Sequence, residues 1–190
     1  MENVKLLAIV GMSGSGKSTA IEALTERGIP KVYFGGVIYK AMEEAGIERT
    51  EDGESEKIFR QEIRKKEGKD FVVLRVIEEV RNLVEAGQKR IVLDGLYSWT
   101  EYRILKKEFP GAMSTVAIVC DKKLRHKRVA ERTDRPFDKE AINERDYSEI
   151  ENLEKGGPIA IADYYIENNG TIGELNDKVG ELLGRIGFLG

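Results

Sequence analysis

The sequence predicts a three-layer α/β/α fold built on a five-stranded, mostly parallel sheet. Short runs rich in Val, Ile and Leu alternate with segments whose apolar residues recur at every third or fourth position. The runs are apolar throughout, as strands covered on both faces are. A glycine-rich loop stands where the first run gives way to the first helical segment. Right-handed crossovers between such units leave ligands to bind beyond the strand C-termini.

Val4 to Val10 reads as the first strand, and Lys17 to Arg27 as a helix carrying Ala20, Ile21 and Leu24 before the Gly28 and Pro30 stop. Lys31 to Phe34 is a short second strand. It leads through Gly35 and Gly36 into a helix with Val37, Ile38, Ala41 and Met42. Residues 47–56 are polar and read as a loop, and 57–66 and 69–86 as helices parted by Gly68. Ile91 to Leu93 is the third strand, ending at Asp94, and Thr100 to Phe109 a helix stopped by Pro110 and Gly111. Met113 to Cys120 is the fourth strand, with Cys120 packed in it. Residues 121–133 and 138–153 form charged helices, Tyr164 to Glu167 the fifth strand, and Gly173 to Ile186 a closing helix.

The 190 residues suit one domain, spanning 1–190, with no repeat or proline-rich linker to divide it. With 31 basic and 34 acidic side chains the net charge is -3, so no broad field gathers nucleic acid, and an anion site must be local. Aromatic residues are 7%, too few to suggest a stacking platform for single strands. Apolar runs fall far short of the ~20 residues that cross a bilayer. The N-terminus reads straight into a strand, and Cys120 is the lone cysteine, so a cytoplasmic, reducing compartment is expected.

Gly11-Met12-Ser13-Gly14-Ser15-Gly16-Lys17-Ser18 fits G-x-x-x-x-G-K-S/T between a strand and a helix. Its glycines let backbone N–H groups and the helix start converge on phosphates, with Thr19 next in line. Lys17 would reach the β- and γ-phosphates of ATP, and the Ser18 hydroxyl would bind Mg2+. The loop serves kinases, motors and switches alike.

Together with Val92-Leu93-Asp94-Gly95, Arg132-Thr133-Asp134-Arg135 and the run Ala160 to Thr171, this loop resembles dephospho-CoA kinases and related nucleoside monophosphate kinases. The chain is similar above all to a group of archaeal and bacterial nucleotide-kinase-like P-loop proteins that share Glu144-Arg145-Asp146 and an A-D-Y-x-I-x-N ending. The resemblance implies a core of residues 1–36, 88–120 and 158–190, a substrate-binding helical region at 37–87 and a lid at 121–157. It implies ATP and magnesium as ligands, a nucleotide-like small-molecule acceptor, and phosphate contacts from Arg128, Arg132 and Arg135. The planar guanidinium suits spread phosphoryl charge.

Asp94 would emerge at the sheet end to hold magnesium or take a hydroxyl proton, unless it only caps the next turn. Arg64 and Arg75 match arginines of the resembling group and could bind an acceptor phosphate, or could pair with Glu62, Glu67, Glu78 and Glu79. The resembling proteins carry an aspartate after the second strand, within G-D-V-I-R. This chain has Gly36 and Tyr39 at the aspartate and arginine positions, so neither role transfers. Lys122, Lys123 and Lys127 read as a solvated face, and His126 as a surface residue without a role. The functional expectation is a small-molecule kinase acting on dephospho-CoA or a nucleoside monophosphate. Its alternative is an ATP-binding regulator with little transfer.

Overall fold

A computed structural model describes residues 3–50, 54–68, 70–131 and 139–189. In chain order the elements are β1 (Lys5–Val10), α1 (Lys17–Thr25), β2 (Lys31–Tyr33), α2 (Phe34–Glu44), α3 (Glu54–Glu67), α4 (Phe71–Glu85) and β3 (Arg90–Asp94). There follow α5 (Trp99–Glu108), β4 (Met113–Val119), α6 (Lys122–Ala130), α7 (Lys139–Glu151), α8 (Gly156–Ala160), β5 (Tyr164–Glu167) and α9 (Ile172–Arg185). The five strands lie in the order β2-β3-β1-β4-β5, and every pairing is parallel.

The period of two along each strand divides the core. Leu6, Ala8 and Val10 of β1, with Ile91 and Leu93 of β3, pack beneath α2, α4 and α5 through Val37, Val76 and Leu105. Leu7 and Ile9 of β1, with Val92 of β3 and Ile118 of β4, face α1 and α9 through Ile21, Leu24, Val179 and Leu182. Both faces are therefore covered, which is why the strand sequences show no polar alternation.

Several boundaries differ from the pattern reading. Gly35 and Gly36 do not lead into α2 but lie inside its first turn, where a Cβ at Gly35 would strike the Tyr33 ring. Ser98 starts α5 one residue early because its side chain accepts from the Glu101 N–H while Glu101 bonds back to the Ser98 N–H, a capping box. Cys120 lies one residue past β4 and is half-buried. The short α8 carries no apolar period long enough to read from sequence. No helix among the described residues is long and apolar enough to cross a membrane.

Candidate phosphate-binding and transfer site

The loop from Gly11 to Gly16 joins β1 to α1 at the C-terminal edge of the sheet. Gly11, Gly14 and Gly16 have φ of 148°, 81° and 103°. A side chain there would also collide, with the Ile118 carbonyl oxygen, the Arg125 carbonyl oxygen and the Asn168 amide respectively. Glycine is thus required by strain and by crowding together. Gly16 caps α1 without any side-chain hydrogen bond, and the first turn of α1 holds no acidic residue of its own. Ser15 Oγ is buried with no hydrogen-bond partner among the described residues. Ser18 is exposed, and Lys17 Nζ donates to the Met12 carbonyl oxygen at 3.0 Å. A polyphosphate with magnesium fits this cradle.

Distant elements hold the loop. Asn168, at the end of β5, donates its side-chain amide to the Ser15 carbonyl oxygen at 2.8 Å. Arg125 of α6 donates to the Ser13 carbonyl oxygen at 3.0 Å and grips Asp146 of α7 with two bonds, 2.7 and 2.6 Å. His126 Nε2 lies 2.8 Å from the same carboxylate, so it is a partner in this network and not the idle surface residue expected. Burial pushes the Asp146 carboxyl up, but the bonds from Arg125 and His126 and the Arg125 charge outweigh it and lower its pKa.

Glu149, also on α7, accepts from the Ser13 N–H at 3.1 Å and from Ser13 Oγ at 2.6 Å. Lys155 Nζ is 2.8 Å from it and Arg145 Nε 3.3 Å, while Arg145 Nε also donates to Ser13 Oγ at 2.9 Å. Burial would raise the Glu149 pKa, yet Lys155 and the Ser13 bonds hold it at about 2. Lys155 shifts in the opposite energetic sense, because burial outweighs the support of its carboxylate and lowers its pKa. The carboxylate is the better-held ion of the pair, since more donors converge on it. Lys155 also lies 4.2 Å from the centre of the Tyr97 ring.

Asp94 ends β3, in register with Ile9 of β1 and Tyr33 of β2. Its carboxylate is 3.6 Å from Lys31 Nζ. Burial raises its pKa more than the charges of Lys31 and Lys17 lower it. The hydroxyls of Tyr33 and Tyr97 are raised too, first by burial and then by neighbours that include Asp94. The site thus brings together the loop, Asp94 and the Lys31 charge, although Lys31 carried no motif.

Other expected residues lie apart. Arg128 donates to the Asn168 and Gly170 carbonyl oxygens at 2.9 and 3.1 Å, bracing the β5–α9 turn. Arg75 pairs with Glu78 at 3.4 Å, the ion-pair alternative, and lines a groove of about 180 Å³ between α2 and α4 with Lys40, Glu44, Glu78 and Glu79. Arg64 lies on α3, with its side chain outside the described residues, and Arg132 and Arg135 lie outside them altogether. Sequence reasoning missed Arg125, Glu149, Lys155 and Asn168 as site residues. The terminal N of A-D-Y-x-I-x-N carried the signal for Asn168, and the E-R-D stretch marked only the partners Arg145 and Asp146.

A family model described as an AAA domain matches residues 7–154. A UPF0200 protein of Sulfurisphaera tokodaii is 34% identical over 98% of this chain and 99% of its own. A UPF0200/UPF0201 protein of Archaeoglobus fulgidus is 33% identical over 95% of this chain, which spans only 55% of that relative's length. Among solved structures, TT1252 from Thermus thermophilus has a TM-score of 0.65 at 18% identity, covering 96% and 97% of the two chains. A dephospho-CoA kinase from Campylobacter jejuni has 0.59 at 18%, covering 97% and 98%. A gluconokinase from Sinorhizobium meliloti has 0.59 at 16%, covering 98% and 95%. At such identities these structures show a shared P-loop kinase-like fold. The glycine cradle between β1 and α1, the all-parallel sheet and the sequence relatives agree: the chain belongs to the AAA-domain P-loop family and, within it, to the UPF0200 group.

Proposed function

We propose that this protein is an ATP-dependent small-molecule kinase that transfers the γ-phosphoryl group to a nucleotide-like acceptor, with dephospho-CoA or a nucleoside monophosphate the first choices. The observation that carries the reading is the glycine cradle of residues 11–16 leading into the uncapped start of α1, with Asp94 at the end of the neighbouring strand β3. The amides of residues 11–19 and Lys17 would bind the triphosphate. Magnesium, held by Ser18 and Asp94, would neutralise phosphate charge.

In the transfer an acceptor oxygen bonds to the γ-phosphorus as the bond from that phosphorus to the β,γ-bridging oxygen breaks, leaving ADP. With magnesium held through water, the Asp94 carboxylate at the end of β3 would be the group that takes the proton of an acceptor hydroxyl. Arg132 and Arg135 would meet the moving charge, and Arg128 supports the nucleotide side through the Asn168–Gly170 turn. Arg64 and Arg75 are the cations offered to an acceptor phosphate, although Arg75 must first leave Glu78. Asp94 with the Tyr33 and Tyr97 hydroxyls favours a hydroxyl acceptor. The kinase-named neighbours support phosphoryl transfer as the class of reaction.

Release of ADP, followed while dephospho-CoA and the nucleoside monophosphates are added in turn, tests this. Acceptor-dependent ADP should appear with one of them and fall by roughly 10²-fold or more in Lys17→Ala. ADP release indifferent to every acceptor would discard the metabolic-kinase reading. A second reading, an ATP-binding regulator, draws on the Ser13 donors already engaged by Glu149. It predicts that ATP changes hydrogen exchange across residues 139–157 without turnover, and unchanged exchange would remove it.

A further inference from the structure

Glu149 is surrounded by the donor set that a phosphoryl group takes. A backbone amide and a hydroxyl come from Ser13, an ammonium from Lys155 at 2.8 Å and a guanidinium from Arg145 at 3.3 Å. Two of these four donors belong to the phosphate loop itself, and the Lys155 ammonium lies 4.2 Å from the centre of the Tyr97 ring. The carboxylate satisfies the buried Ser13 N–H and hydroxyl, a need that phosphoryl oxygens would meet as well. Asn168 and Arg125 already secure the loop through its Ser15 and Ser13 carbonyl oxygens.

We propose that Ser13, Arg145 and Lys155 form the γ-phosphoryl position of this site, and that Glu149 fills it as an internal anion until ATP displaces it. The inference rests on the kinase reading above. It goes further by assigning Lys155, a buried ammonium on the α7–α8 turn, to the transferring group. It also makes Glu149 a gate that ATP must open and ADP need not. A buried lysine kept beside a removable carboxylate is poised to accept a replacement anion, because its burial cost is met only while one is present. Lys155 is coupled to a reporter. Gly157, two residues on, packs against Trp99, which is the only tryptophan in the sequence.

The test compares magnesium-ADP with a non-hydrolysable magnesium-ATP analogue, measured calorimetrically on the wild type and on Glu149→Gln. Glutamine keeps the volume but removes the competing charge. The preference for the ATP analogue over ADP should rise by roughly ten- to a hundredfold, the worth of hydrogen bonds to a charged group. Equal changes for both nucleotides, or a selective loss for the analogue, would make Glu149 a scaffold and overturn the proposal. Should Glu149→Gln not fold, Trp99 emission of the wild type decides. A response to the analogue that ADP does not produce supports displacement, and identical responses overturn it. Wild-type protein that binds neither nucleotide would remove the kinase reading itself, and this proposal with it.

Discussion

The phosphate-loop flank and the helical flank of the sheet edge use the same ionic side chains to opposite ends. Beside the phosphate loop, Arg125–Asp146 and Lys155–Glu149 are buried pairs, with side chains 9% and 7%, and 7% and 5%, exposed. On the helical flank, Arg75–Glu78 and Arg81–Glu108 lie in solvent, the first at 44% and 61%. A buried pair imposes one geometry and punishes the loss of either partner, whereas a solvated pair costs little to rearrange. The phosphate-loop flank is therefore held in one arrangement that only a competing ion could replace, whereas the helical flank can rearrange at little cost.

The largest expected effect comes from breaking the buried side. Asp146→Ala strands the Arg125 guanidinium and frees the Ser13 carbonyl anchor, and should lower unfolding stability by about 3–5 kcal/mol in denaturant titration. A loss below about 1 kcal/mol would erase the contrast between the flanks. Asn168→Ala removes one buried bond to the Ser15 carbonyl oxygen and should cost about 1–3 kcal/mol, with nucleotide affinity falling in step. Acid sharpens the comparison without mutation. Glu149 is held at about 2 in the fold against an ordinary 4.5, so its contribution is complete above about 4.5 and is lost as pH falls toward about 2. Unfolding midpoints measured down that range should drop in the wild type and drop less in Glu149→Gln.

These flanks also differ in how much of them could be read from sequence. The phosphate loop is eight contiguous residues whose spacing is its chemistry, so the strand, loop and helix were legible together. Asp94 was legible because a strand that ends in a carboxylate delivers it to the sheet edge. Arg125 and Glu149 were not, since each looks like one more charge in a charged helix, and Lys155 was not because it stands alone in the turn between α7 and α8. What distinguishes Arg125 from Lys122, Lys123 and Lys127 is burial against Asp146, which arises from packing across 21 residues of chain. Gly36 misled in a different way. It was read as the approach to a helix, but Tyr33 crowds the position and α2 begins before it. His126 was dismissed for want of a partner nearby in sequence, and its partner came from the next helix.

The smallest effect belongs to Arg75, and it is the one that decides what the helical flank is for. The groove around it carries Lys40 and Arg75 against Glu44, Glu78 and Glu79, so its formal charge is negative and it does not attract phosphate as it stands. Glu79 is partly buried there, and burial raises its pKa beyond what Lys40 lowers it, so protonation would ease that repulsion. Arg75→Ala should shift stability by less than about 0.5 kcal/mol, because an exposed i,i+3 pair contributes little. If the acceptor presents a hydroxyl beside Asp94 and no phosphate to α4, the KM for that acceptor should also change less than about twofold. A rise of tenfold or more in KM with kcat unchanged would instead show Arg75 leaving Glu78 to grip an acceptor phosphate, and the flank would prove to be a phosphate site assembled by its own ligand.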